Sequence, residues 1–269
     1  MNSPSIQPRM LDGRCAVVTG SVHGLGLAIA ESLGRAGANI VLNALCSPDE
    51  GQAAAEHLAA SAGTDVIFHP ADLRDVSQIE DLMKVAAARF GFVAIAVNNA
   101  VVRHLARVEE LTTQEWDMAL AVNLSAGFHI SRLAIPAMRS KGWGRIINIS
   151  SIYASRSDEN RLAYATTKTA MLGMTRTIAI ETADSGITCN AVCPGSIATP
   201  AIMGKIEKTA AEEGIPVAEA ASNYIASRHP TKRFVSGSNV GALVTFLCSP
   251  AGDDITGATL PIDGGWLAR

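Results

Sequence analysis

A large excess of charge of one sign is missing from this chain. Its 269 residues carry 22 Lys and Arg against 25 Asp and Glu, a formal net charge of −3. A balance this close to neutral excludes a general affinity for nucleic acid or for an anionic membrane surface. Long apolar runs are missing too. Nothing approaches the roughly eighteen consecutive apolar residues of a spanning helix, so no membrane segment is expected. The start, Met1-Asn-Ser-Pro-Ser-Ile-Gln-Pro-Arg-Met10, is polar and lacks the apolar stretch of a secretory leader. Cysteine is sparse and unpaired in number: five, at 15, 46, 189, 193 and 248. Cys15, Cys189 and Cys193 fall in apolar strand-like runs, where buried reduced thiols are expected. Cys189-x-x-x-Cys193 has no second ligand pair at metal spacing, so no metal site is expected. These features together suggest a cytoplasmic protein. Internal repeats and low-complexity tracts are absent.

What remains is a chain that is 48% hydrophobic and 17% charged, enough to bury the core of one α/β domain. Short β-branched runs alternate with amphipathic stretches. Strands are expected at 15–19, 39–42, 65–68, 93–97, 145–149, 187–192 and 259–262. Helices are expected near 25–36, 50–62, 75–90, 113–139, 161–184 and 238–248. The strands show little alternation of apolar and polar residues, which fits burial on both faces. The order implies a doubly wound parallel sheet with helices on both faces and right-handed crossovers. We expect a flexible arm over 1–12 and a single domain over 13–269. Residues 196–235, rich in Ala, Glu, Lys and Pro, interrupt the rhythm and suggest a lid segment.

Two features carry chemistry. Tyr164 and Lys168 are four apart in an expected helix, so they share a face. A tyrosine, with a reference pKa of about 10, becomes a usable proton carrier near neutrality when a neighbouring ammonium favours its phenolate. Ser151, at the end of the run Arg145-Ile-Ile-Asn-Ile-Ser150, is placed to hold a substrate oxygen against that tyrosine. The second feature is Thr19-Gly-Ser-Val-His-Gly-Leu-Gly26, between the first strand and its helix. Gly20, Gly24 and Gly26 allow a tight turn and close approach of a pyrophosphate to the helix N-terminus.

The glycine turn, Asn98-Asn-Ala100, Asn123, Ser151, Tyr164-x-x-x-Lys168 and Pro194-Gly195 occur in the order seen in short-chain dehydrogenases/reductases, which the chain resembles over about residues 11–269. Ile40-Val-Leu-Asn43, Trp116, Leu120-Ala-Val-Asn-Leu-Ser125, Gly144-Arg-Ile-Ile-Asn-Ile149 and Asp263-Gly-Gly-Trp-Leu-Ala-Arg269 look like bacterial D-3-hydroxybutyrate dehydrogenases. The resemblance implies a Rossmann-type fold and an NAD(P)-dependent oxidoreductase. Tyr164 would be the acid/base, and Lys168 would lower its pKa and bind the nicotinamide ribose. Ser151 would hold the reacting oxygen, and Asn123 would position a water linking Lys168 to solvent. The cofactor would lie along Gly20, Ser21, His23, Gly24, Leu25, Gly26, Asn43, Asp72, Leu73, Asn99, Ala100, Pro194, Gly195, Ile197 and Thr199. Of these, Asp72 would contact adenine and Thr199 the carboxamide. Asn43-Ala-Leu-Cys46 offers neither an acid for a ribose hydroxyl nor an arginine for a 2′-phosphate. NAD is expected rather than NADP, because the hydroxybutyrate enzymes share that Asn and use NAD.

Two departures stand out. The family's Asn-Asn-Ala-Gly reads Asn98-Asn-Ala-Val101 here, so a valine adds bulk beside the ribose or demands a backbone angle that it resists. The residues that grip the carboxylate in the hydroxybutyrate enzymes (a glutamine, a histidine, a lysine and a second glutamine) are replaced by Arg103, Tyr153, Arg161 and Lys205. Ser196 stands where a tryptophan usually follows Pro-Gly. The expected substrate is therefore an anionic hydroxy or keto acid of the 3-hydroxybutyrate type, or a larger or more charged relative. On the opposing reading, Arg103 and Arg161 pair with Glu109 or Asp158. An NADPH-dependent 3-oxoacyl reductase and a catalytically silent nucleotide-binding protein are the alternatives. The resemblance also implies a homotetramer, with the C-terminal tail at an interface.

Overall fold

A computed structural model of the chain describes residues 9–269. The expected arm falls largely on residues 1–8, outside the described residues. It stops short of residue 12, because Leu11 is 1% exposed and packs in the core.

Seven parallel strands form one sheet: β1 (Cys15–Thr19), β2 (Asn39–Asn43), β3 (Val66–His69), β4 (Val93–Asn98), β5 (Gly144–Ile149), β6 (Ile187–Pro194) and β7 (Thr259–Ile262). Their order is β3-β2-β1-β4-β5-β6-β7, and every neighbouring pair is parallel. β1, β4, β5 and β6 are buried at every position, which is why their sequences read as unbroken apolar runs. The order reverses between β1 and β4, and in such sheets ligands bind in the crevice beyond the strand C-termini at that point.

Helices α1 (Gly24–Arg35), α2 (Pro48–Ala62), α3 (Val76–Phe90), α4 (Thr113–Leu120), α5 (Ala126–Lys141), α6 (Leu162–Thr182), α7 (Pro200–Glu213), α8 (Val217–Ala226) and α9 (Gly237–Cys248) cover the sheet and its edge. Two apolar clusters fill the core, one including Ile29, Leu33, Val240 and Val244, the other Ile79, Leu82, Ile130 and Met138. The single helix expected over 113–139 is instead α4 and α5 joined by a π-helical turn, Ala121–Ser125. Asn123 lies in that turn, a local rearrangement often found at functional sites. By length and composition Thr113–Lys141 would suffice to cross a membrane; here Ala126, Ile130, Ala134 and Met138 face the sheet core. The lid segment expected at 196–235 contains the hairpin α7–α8 with its own apolar cluster around Ile206, Ala210 and Ala220.

Candidate active site

The C-terminal ends of β1 to β6 open onto one cleft of about 680 Å³, within the range of small-molecule sites. Beyond β5 lies the trio. Tyr164 occupies the first turn of α6 and Lys168 the next, and both are buried, at 6% and 2% exposure. Lys168 Nζ donates to the Ile149 carbonyl at 2.7 Å and lies 5.9 Å from the Tyr164 ring centroid. The Ser151 hydroxyl accepts from the Tyr153 amide at 3.2 Å, which fixes it at the strand end. Ser150 turns away, donating to the Lys168 carbonyl at 2.8 Å.

Charge decides what this group does. Burial pushes the Tyr164 phenol up. Lys168, Arg103 and the Ser151 hydroxyl outweigh that, and the phenol is held below its ordinary value. Burial pulls the Lys168 ammonium down, with Arg103 acting in the same direction and Tyr164 against it. A buried phenol with lowered pKa at a cleft wall can exchange a proton with a bound oxygen.

Asn123 does not line the cleft. Its Oδ1 accepts from the Val102 amide at 2.8 Å and its Nδ2 donates to the Val102 carbonyl at 3.0 Å. The side chain thus clasps the loop after β4, a contact between segments that spacing along the chain does not announce. Ile149, whose carbonyl holds Lys168, went unrecognised in the sequence for the same reason.

The glycine turn fits a dinucleotide. Gly20 and Gly24 have φ of +61° and +63°, left-handed values that favour glycine. A Cβ on Gly26 would meet the Gly20 carbonyl at 2.2 Å. No side chain caps α1, and His23, its N-cap residue, leaves the first amides unpartnered by side chains, as an anion site requires. Leu25 lines the same part of the cleft. Ser21 does not reach it, being fully buried. Its hydroxyl donates to the Val18 carbonyl at 2.6 Å and accepts from the Asn43 amide at 3.1 Å, so it braces the turn.

Asn43 lines the cleft, but its side-chain amide is spent on the His69 and Ala71 carbonyls, tying β2 to β3. Asp72 and Leu73 line it beyond β3. Hydrogen bonds from Arg74 hold the Asp72 carboxyl below its usual range. Arg74 itself lines the cleft and was not foreseen; the sequence signal was an arginine two residues after the aspartate, close enough to fold back on it. Beyond β4, Asn99 Nδ2 donates to the Thr19 and Gly20 carbonyls, each at 2.9 Å, and Ala100 packs under Gly20. Beyond β6, Pro194, Gly195, Ile197 and Thr199 complete the wall, with Thr199 capping α7.

Val101 is accommodated without the strain its sequence position suggested. Among the described residues only Asn160 and Lys232 are non-glycines at positive φ. Val101 packs against Ile152, Tyr153, Tyr164 and Trp266.

On the substrate side, Arg103 lines the cleft with its Cζ 5.2 Å from the Tyr164 ring centroid. Tyr153, Arg161 and Lys205 are close by but are not among the residues that line the cleft. Tyr153 meets Tyr164 and Trp266 edge-on, each at 6.0 Å. Its hydroxyl donates to Asp158, and burial with that contact pushes its pKa up to about 12. Arg161 lies 4.6 Å over the Tyr153 ring. The ion pairs with local acids of the opposing reading do not form. Glu109 pairs with Arg107 at 2.8 Å, and Asp158 is taken by Tyr153. The tail folds back on its own chain, where the Asp263 carboxylate holds the Gly265 and Leu267 amides and Trp266 is buried.

Comparison with known proteins agrees with this geometry. Residues 20–267 match the family model described as enoyl-(acyl carrier protein) reductase. The chain is 41% identical over 260 residues to a D-beta-hydroxybutyrate dehydrogenase from Cupriavidus necator, covering 97% of this chain and 100% of that one. It is also 41% identical over 256 residues to one from Rhizobium meliloti, covering 95% and 99%. Among solved structures, L-sorbose reductase from Gluconobacter frateurii, complexed with NADPH and L-sorbose, superposes with a TM-score of 0.93 at 29% identity, covering 98% and 100%. With its parallel sheet, glycine turn and buried Tyr164–Lys168 pair, the chain belongs to the short-chain dehydrogenase/reductase family and is an NAD(P)-dependent oxidoreductase.

Proposed function

We propose that the protein oxidises an anionic hydroxy acid, of the 3-hydroxybutyrate type or a larger or more charged relative, with NAD. The observation that carries this reading is Arg103, a cation in the cleft wall beside Tyr164 with no carboxylate partner among the described residues. An arginine grips a carboxylate through paired hydrogen bonds. That grip would bring the adjacent carbinol to Tyr164 and Ser151. Tyr164 takes the hydroxyl proton, Ser151 holds the oxygen, and Lys168 stabilises the phenolate; Asn123, its side chain committed to Val102, supports the loop that carries Arg103. Bound nicotinamide would supply the hydride acceptor. The turn at Gly20, Gly24 and Gly26 would hold the pyrophosphate, with Thr199 at the carboxamide and Asp72 at the adenine. NAD is favoured because the end of β2 offers no cation for a 2′-phosphate.

A second reading, an NADPH-dependent 3-oxoacyl reductase, is favoured by Arg74 in the cleft wall. Rates with NAD and NADP, on D-3-hydroxybutyrate, longer hydroxy acids and uncharged alcohols or sugars, separate the two. The expected result is turnover of hydroxy acids with NAD at least tenfold above NADP. Best activity on uncharged alcohols or sugars would overturn the proposal.

We also propose a cytoplasmic location, supported by five free cysteines. A homotetramer is proposed from the family resemblance, with the exposed Phe128 on α5 and Ile180 on α6, 51% and 80% accessible, as candidates for burial between subunits. The α7–α8 hairpin is assigned as a lid, since Pro200, Ala201 and Ile202 border the cleft.

A further inference from the structure

Three cations converge on the substrate side from three separate segments: Arg103 from the loop after β4, Arg161 from the start of α6, and Lys205 from α7. Among the described residues none of them has a carboxylate within 4.0 Å. They act on one another, since burial and then the charges of Arg161 and Arg103 pull the Lys205 ammonium down. The carboxylate that reaches this wall is Asp158, engaged by the Tyr153 hydroxyl. Arg156 and Arg228, each over the Trp266 ring that meets Tyr153, add to the positive charge, so cations outnumber the carboxylate at this wall. A substrate with a single carboxylate would neutralise only one of them.

The cations also sit over different rings. Arg103 is over the ring of Tyr164 itself, whereas Arg161 is over the neighbouring ring of Tyr153. Lys205 is carried by the hairpin that borders the opening.

We propose that the substrate is a dianionic hydroxy acid, its near carboxylate held by Arg103 and a second, distal anionic group held between Arg161 and Lys205. The assignment rests on the hydroxy-acid reading above and leaves the chemistry at the carbinol unchanged. It makes Arg161 and Lys205 the residues that select between one and two charges.

The test compares 3-hydroxybutyrate with 3-hydroxyglutarate, which presents the same 3-hydroxy acid unit with an added distal carboxylate, at saturating NAD. The native enzyme is expected to show kcat/KM at least tenfold higher for the diacid. Arg161→Gln and Lys205→Met should each lower the diacid-to-monoacid ratio several-fold, mainly through KM. Glutarate should inhibit the native enzyme more tightly than butyrate, with that advantage reduced in both variants. A native ratio at or below one, or a ratio unmoved in both variants, overturns the dianion while leaving the hydroxy-acid reading standing. Should a variant fail to fold, the native ratio and the two inhibition constants decide. Turnover confined to uncharged alcohols sinks both readings.

Discussion

Tyr164 is poised by what surrounds it. Oxidation needs the phenolate, and the cations beside it hold its pKa below the usual 10.0. The rate of oxidation should therefore rise with pH and level off below pH 10. Lys168→Met removes a stabilising charge, so the rising limb should move to higher pH while kcat falls by about two or more orders of magnitude. Arg103→Gln should shift the limb in the same direction. A pH profile of kcat/KM for the three proteins checks this, and a limb that stays put in both variants would contradict it. Val101 gives a second prediction at this scale. The position does not need a positive φ, so Val101→Gly should bring no gain in dinucleotide affinity. It should lose about 1 kcal/mol of stability as contacts with Tyr153 and Trp266 are lost; nucleotide titration and denaturant unfolding measure both. The spacing of Tyr164 and Lys168 was legible because a helix repeats locally. The clasp of Asn123 on Val102 and the hold of Ile149 on Lys168 were not, because each joins segments that only the folded sheet brings together.

At the scale of elements, the fully buried strands wrote themselves plainly into the sequence as β-branched runs. The π-helical turn did not, because one inserted residue leaves the apolar pattern on either side nearly intact. The polar residues inside the core were equally hard to place. Asn98 Nδ2 donates to Asn148 Oδ1 and Asn148 Nδ2 to Thr175 Oγ1, each at 2.8 Å, stitching β4 to β5 and β5 to α6. Buried groups that lose such partners are costly. Asn148→Ala should destabilise the protein by about 1–3 kcal/mol, read as a shift in the urea midpoint. A change below about 0.5 kcal/mol, the ordinary surface range, would show that the ladder adds nothing. The segment expected as a lid shows in the sequence as an interruption, but its two helices do not, since α7 and α8 are held by a small cluster of their own rather than by the main core.

For the whole molecule, a doubly wound parallel sheet was implied by the alternation of elements, and the position of the cleft follows from where the strand order reverses. Assembly was not legible in the residues themselves. If the proposed tetramer buries Ile180, Ile180→Glu should reduce the molecular mass measured by light scattering to that of a dimer or monomer. An unchanged mass would place the interface elsewhere. A different consequence follows from Trp266, seated against Tyr153 and His229. The ribosome delivers the glycine turn long before Trp266, so the aromatic wall around Tyr164 stays unfinished until that residue has emerged. A product truncated just before it would retain a nearly whole nucleotide cleft and an unsupported Tyr153. Translation thus completes the substrate wall only after the nucleotide cleft.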